Sequence, residues 1–180
     1  EGGEPALLAA LKESQATPVS RPAARAALEW PYADFGKPGR VAEERSVADL
    51  GATFYTFANG VRLTVKPTTF RDDEVLVRVN VGDGLQDLSP ERQNPGWAST
   101  PYVEGGLKKM AAEDMEQVLA DKVYGARFAN TDEAFMLSGS TRPEHLHTQM
   151  QVLAAYLTEP GRRPEAFARV SAINLNGVAY

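Results

Sequence analysis

The chain has 180 residues, 43% hydrophobic and 24% charged, which is enough for a self-sufficient core and excludes bulk disorder, collagen-like repeats and disulfide scaffolds. Its net charge of −5 argues against a general nucleic-acid binder or a polybasic membrane-surface protein, and no apolar run reaches the roughly 18 residues of a spanning helix. Cysteine is absent, which excludes disulfides, thiolate zinc sites, iron–sulfur clusters and thiol catalysis, and confines any histidine chemistry to His145 and His147.

The chain begins Glu1-Gly2-Gly3 in place of Met, as a processed or trimmed piece would. Pro5 followed by Ala6 to Glu13 predicts one short helix opened by proline. Pro18, Pro22, Pro31 and Pro38, with Gly36 and Gly39, then favour extended chain. Trp30, Tyr32 and Phe35 lie in this stretch, and a free linker rarely spends aromatics so densely. Residues 1–45 are therefore expected to form an interdomain linker, ordered as a strap on a neighbouring surface.

From Val47 the pattern becomes strand-like. Thr53 to Phe57 is aromatic and β-branched, and Val61, Leu63 and Val65 alternate with Arg62, Thr64 and Lys66. Asn59-Gly60 between these runs predicts a hairpin with a type I′ turn. Pro67 to Glu74 reads as a loop, its Asp72-Asp73-Glu74 a solvated acidic turn. A third strand places Val75, Val77, Val79 and Val81 on one face and Leu76, Arg78 and Asn80 on the other. After a glycine- and proline-punctuated stretch over 82–102, helices are expected at about Val103–Met110 and Ala112–Asp121, the second with Met115, Val118 and Leu119 on one face. Two more strands follow at about 122–129 and 133–140. Thr141-Arg142-Pro143-Glu144 reads as a capping box opening a helix with Leu146, Met150, Leu153 and Leu157 on its apolar face, ended by Pro160-Gly161. A last helix starts near Pro164. This order predicts an α+β unit over 46–180, a mostly antiparallel sheet with helices packed on one face.

Chemistry-bearing patterns are sparse. His145-x-His147 with Glu144 is the one metal-like cluster, but side chains two apart on a helix point about 200° away from each other and cannot share an ion. Gly82-Asp83-Gly84 has neither dinucleotide nor phosphate-loop spacing and reads as a turn. Gly105-Gly106 could offer amides to an anion, although close backbone packing is the simpler reading. Ser138-Gly139-Ser140 lacks the Gly-x-Ser-x-Gly frame of a nucleophile elbow. Asp72, Asp73, Glu113 and Asp114 are candidate acids with nothing to mark a poised pair.

Phe57-Ala58-Asn59-Gly60-Val61-Arg62-Leu63-Thr64-Val65-Lys66-Pro67-Thr68, then Asp73-Glu74-Val75-Leu76-Val77-Arg78, resembles the start of a repeat unit in the insulinase/pitrilysin family of zinc metallopeptidases. Gly139-Ser140-Thr141-Arg142-Pro143-Glu144-His145-Leu146, and the helix to Tyr156-Leu157-Thr158-Glu159-Pro160, resemble the far end of that unit, so the likeness covers about residues 46–170. Trp30-Pro31-Tyr32-Ala33-Asp34-Phe35-Gly36 looks like the connector preceding the second half of long bacterial members. The resemblance implies homologous α+β units paired as a clamshell around a chamber, and proteolysis of peptides or small unfolded proteins by zinc-activated water with a glutamate base.

That family takes zinc ligands from His-x-x-Glu-His on a helix and from a glutamate downstream. Gly96-Trp97-Ala98-Ser99-Thr100-Pro101-Tyr102-Val103 occupies the place of this segment, with Ser99 and Val103 for the histidines and Tyr102 for the glutamate. None of the three supplies an imidazole or a carboxylate, Pro101 is expected to disturb a helix there, and no histidine occurs between 1 and 144. The resemblance thus implies the first unit of the non-catalytic half, truncated at its C-terminus, with no catalytic residue, cofactor or metal of its own and zinc held elsewhere in the longer protein. Its implied partners are other units of the same chain and peptide substrates, with no nucleic acid and no membrane insertion. The implied compartment is the bacterial periplasm, the alternative being the cytoplasm, and the acidic balance points to basic peptides.

Three functions compete: a chamber-forming, substrate-enclosing segment of a zinc peptidase, a stand-alone peptide-binding or assembly scaffold of the same fold, and a self-contained hydrolase using the carboxylates or His147. An upstream His-x-x-Glu-His separates the first two. Metal content and turnover of the purified chain test the third.

Overall fold

The computed structural model describes residues 3–16, 28–92 and 99–178. The part of the expected strap holding Pro18 and Pro22, and the Gly96-Trp97-Ala98 part of the motif segment, lie outside the described residues. The chain is an α+β fold with two three-stranded antiparallel sheets where one was expected. Among the described residues no helix is long and apolar enough to cross a membrane.

Helix α1 (Gly3–Ala16) forms where the proline-led alanine and leucine run predicts it, and it buries no side chain. Two aromatics of the stretch expected to be strap pack into the core. Tyr32 is 4% exposed and belongs to the main core, with Trp30 packed against it. The Tyr32 hydroxyl oxygen accepts the Lys109 amide N–H at 2.9 Å, and the Trp30 indole N–H donates to the Tyr32 carbonyl at 3.1 Å. Phe35 stays exposed.

The first sheet has the order β1-β2-β3, with β1 (Val41–Val47), β2 (Ala52–Phe57) and β3 (Arg62–Val65). Strand β1 starts inside the stretch expected to be strap. Neither of its faces is buried, and Val-Ala-Glu-Glu-Arg-Ser-Val does not alternate apolar with polar residues, so no period-two pattern marks it. The hairpin between β2 and β3 is present, but its turn is not type I′. Gly60 has φ +88° and no non-glycine residue of the turn has positive φ. Gly60 N–H donates to the Phe57 carbonyl at 2.9 Å, and Phe57 N–H to the Val61 carbonyl at 2.8 Å. This is a three-residue loop closed by a left-handed glycine, which needs only one positive φ.

The second sheet has the order β4-β6-β5, with β4 (Val75–Val81), β5 (Arg127–Asn130) and β6 (Phe135–Thr141). Leu137 and Thr141 of the central strand are buried. Helix α4 (Leu146–Thr158) packs against β6, and α2 (Ser99–Glu104) against β5. The core joins Leu137 to Leu107, Met110, Met115, Val152 and Tyr156. Helix α3 (Ala112–Val118) contributes Met115, and α5 (Pro164–Val178) forms near Pro164 as expected, burying Ala166 and Val170.

Four local expectations are corrected. The helix foreseen over Val103–Met110 is α2, and it ends at Glu104 because Gly105 and Gly106 close it. Pro101 does not break it: within the described helix it lies in the first turn, where no intrahelical donor is required. The strand foreseen over 122–129 begins only at Arg127. Thr141 does not cap a helix, because its hydroxyl donates to the Val123 carbonyl at 2.6 Å, and a 3-10 turn over Pro143–His145 precedes α4 without a side-chain cap.

The apolar face of α4 is also rotated from the expected one. Leu146, Met150 and Leu157 are exposed, while Gln149, Val152, Leu153, Ala155 and Tyr156 are buried. A polar Gln149 sits at the centre of that face and disguises it in the sequence.

Candidate functional site

Ser99, Tyr102 and Val103, which the sequence resemblance aligns with a zinc motif, lie together on α2. Ser99 and Val103 are one turn apart, and Tyr102 adjoins Val103. Tyr102 Oη–H donates to the Tyr156 carbonyl at 2.5 Å, while Tyr156 Oη–H donates to the Val103 carbonyl at 3.0 Å. These two reciprocal bonds fasten α2 to α4. The Tyr102 ring also stacks on Phe128 of β5, with centroids 4.4 Å apart.

Burial pushes the Tyr102 hydroxyl above its ordinary range against the nearby Arg162 guanidinium, and burial pushes Tyr156 higher still. Both phenols therefore stay protonated at neutral pH and act as donors. Tyr102 therefore cannot serve as a base at neutral pH, and Val103 presents only hydrocarbon. The hydroxyl, phenol and isopropyl groups of Ser99, Tyr102 and Val103 do not fit zinc. Among the described residues no three histidine, aspartate or glutamate side chains converge as a cation site requires.

The histidines do structural work at one end of α4. His145 Nδ1 accepts the Val123 N–H at 3.0 Å. Buried Gln149 grips both sides of one residue: its Oε1 accepts the Gly125 N–H and its Nε2–H donates to the Gly125 carbonyl, each at 2.8 Å. With Thr141 on the Val123 carbonyl, side chains satisfy a span that forms no strand hydrogen bonds of its own. His147 does not join this clamp and lies 3.0 Å from the Gln151 amide nitrogen.

The glycine patterns are packing devices. Gly105 N–H donates to the Pro101 carbonyl and Gly106 N–H to that of Val103, so both amides terminate α2 and neither is available to an anion. Gly106 has φ +62°, and a Cβ there would lie 2.6 Å from Ala112 N. Gly84, with φ +66°, fits against the carbonyl of Thr131 in the β5–β6 turn, as a turn reading predicts. Asp72 and Asp73 are exposed in the loop before β4, while Glu113 and Asp114 occupy the first turn of α3, where a carboxylate complements the helix dipole. The structure brings no two of these four together as an acid–base pair.

Sequence reasoning missed Tyr156 and Gln149, whose partners lie 54 and 24 residues away along the chain. Their one local signal is a spacing of three, four and seven residues among Gln149, Val152, Leu153 and Tyr156.

No protein-family model matches the sequence, and no curated protein matches it. Solved structures share the fold, and two proteases are among them. The periplasmic protease PqqL from Escherichia coli superposes with TM-score 0.75 at 13% identity, covering 98% of this chain and 20% of its own. A mutant of the ferredoxin protease FusC in complex with Arabidopsis ferredoxin superposes with TM-score 0.67 at 15% identity, covering 93% of this chain and 19% of its own. This chain spans about a fifth of the length of either protein. The architecture is accordingly the fold that each of these proteases carries over about a fifth of its length.

Proposed function

We propose that the chain is a non-catalytic, chamber-forming and substrate-enclosing segment of a zinc-dependent metallopeptidase that cleaves peptides, with the catalytic unit elsewhere in a longer polypeptide. The observation that carries this reading is α2 itself. On the alignment that the sequence resemblance gives, the segment that family members use for metal chemistry is Ser99, Tyr102 and Val103 here, and its tyrosine is committed to a hydrogen bond with α4. A helix so fixed can shape a cavity wall and cannot activate water. The fractional coverage of both protease structures supports a place within a larger chain. The partners on this reading are neighbouring units and peptide substrates, the cofactor is zinc bound outside residues 1–180, and the periplasm is the compartment, in keeping with that of PqqL.

The complete reading frame tests the proposal. An upstream His-x-x-Glu-His is expected, together with zinc-dependent peptide cleavage by the full-length protein and none by residues 1–180 alone. A full-length protein without that motif overturns it in favour of the scaffold reading. Stoichiometric zinc in the 180-residue chain, or turnover abolished by His147→Ala, overturns both.

A further inference from the structure

The face of the second sheet turned away from α4 carries a feature that the protease reading does not use. Strand registers place Leu76 opposite Ser140, Arg78 opposite Ser138 and Asn80 opposite Met136, while Arg127 on the other side also pairs with Ser138. These residues alternate with the inward-facing Leu137 and Thr141, so they share the outer face. The central strand is lined there by Ser138 and Ser140, whose short side chains lie between the longer ones of Leu76 and Arg78 on one flank and Arg127 on the other. The outcome is an open groove of about 470 Å³ with a serine floor. Such a volume is within the range of small-ligand and peptide side-chain sites. Ser138-Gly139-Ser140, unreadable as a nucleophile, is what makes the groove deep.

Charge in the groove is one-sided. The two arginines flank Ser138 and are separated by two inter-strand spacings, about 10 Å between backbones. Both are exposed, and among the described residues neither has a carboxylate at ion-pair distance. No outward position on β4, β5 or β6 is acidic, although the chain as a whole carries −5. Arginines on opposite walls of the groove suit a carboxylate placed between them, the serine hydroxyl adds a donor, and Leu76, 76% exposed, offers an apolar shelf beside them.

We propose that this groove binds an extended acidic peptide segment, an aspartate or glutamate carboxylate bridging Arg78 and Arg127 over Ser138 with a neighbouring apolar side chain on Leu76. The inference rests on the reading of this unit as a peptide-facing wall and names the peptide class. It reverses the preference for basic peptides that net charge suggests, because at contact distance the nearest charges dominate and remoter ones are screened within about 10 Å.

The test is fluorescence anisotropy on the 180-residue protein at low salt, with two labelled eight-residue peptides: one with leucine-flanked glutamates, the other with glutamine in their place. The glutamate peptide is expected to bind at least about tenfold more tightly, and salt is expected to weaken it. The R78Q/R127Q double variant should erase the difference, R78K/R127K should keep part of it, and Arg45→Gln on the first sheet should leave it unchanged. All these side chains are exposed, so the variants should fold, which their circular dichroism checks. Equal, measurable binding of both peptides, or an unchanged preference in R78Q/R127Q, overturns the charge pair and leaves the peptide-facing wall standing. No binding of either peptide overturns both.

Discussion

The two sheets have the same number of strands and the same antiparallel pairing, yet they stand in different relations to the core. In the second, the central strand lies under α4 and places Leu137 and Thr141 in the interior. In the first, Ala52 is the sole buried residue, and Val41, Leu63 and Val65 stay exposed. What holds the first sheet is its ladder and cross-strand contacts, such as the Arg45 guanidinium 5.1 Å above the Phe54 ring. Alternation in the sequence makes a strand, and a cover from elsewhere in the chain makes it a core.

That contrast is sharpest in truncation. Leu153→Ala removes a side chain that is 1% exposed and is expected to cost about 2–5 kcal/mol, while Leu63→Ala should stay near 0.5 kcal/mol. Urea denaturation of the two variants checks this, and equal losses would break the distinction between the sheets. Comparable in size is Gln149→Leu, which orphans both peptide groups of Gly125 at about 1–3 kcal/mol each. No single residue of the first sheet should match it.

A pair of glycines repeats the comparison at the level of one Cβ. Gly51, between β1 and β2, has φ +58° and open space around it, so Gly51→Ala should cost about 1 kcal/mol for the left-handed backbone alone. Gly106 has nearly the same φ but faces Ala112 N at 2.6 Å, so Gly106→Ala should cost about 2 kcal/mol or more. Thermal melts that rank them the other way would remove crowding as the cause.

The smallest effect is on pH dependence. Burial raises the folded-state pKa of Tyr156 above its unfolded value, so the native state keeps a proton that the unfolded state releases near pH 10. Stability is full below that pH and falls as the solution becomes more alkaline. Tyr156→Phe should flatten the decline in denaturation midpoints between pH 9 and 11, and an unchanged slope would remove burial of this phenol as the cause.

How far the sequence discloses this molecule follows the same division. Period-two runs in β2, β3 and β4, and the anchoring role of Trp30 and Tyr32, are legible because each residue's pattern is local. Strand β1 is not, because Val41 to Val47 reads Val-Ala-Glu-Glu-Arg-Ser-Val and does not alternate apolar with polar residues. The rotated face of α4 is hidden because its centre is a glutamine whose partner is a backbone elsewhere. Of the candidate site, the lack of imidazole and carboxylate at Ser99, Tyr102 and Val103 can be read directly. The fastening of Tyr102 to α4 depends on tertiary contact and cannot.

The grip of Gln149 and His145 on residues 123–125 ties the fate of two segments together. If the first turns of α4 fray, the neighbouring span loses its partners at once, because it has no ladder to fall back on. Amide protons of Val123 and Gly125 would thus exchange with solvent at the pace of the helix that holds them, and one cooperative opening event would serve both.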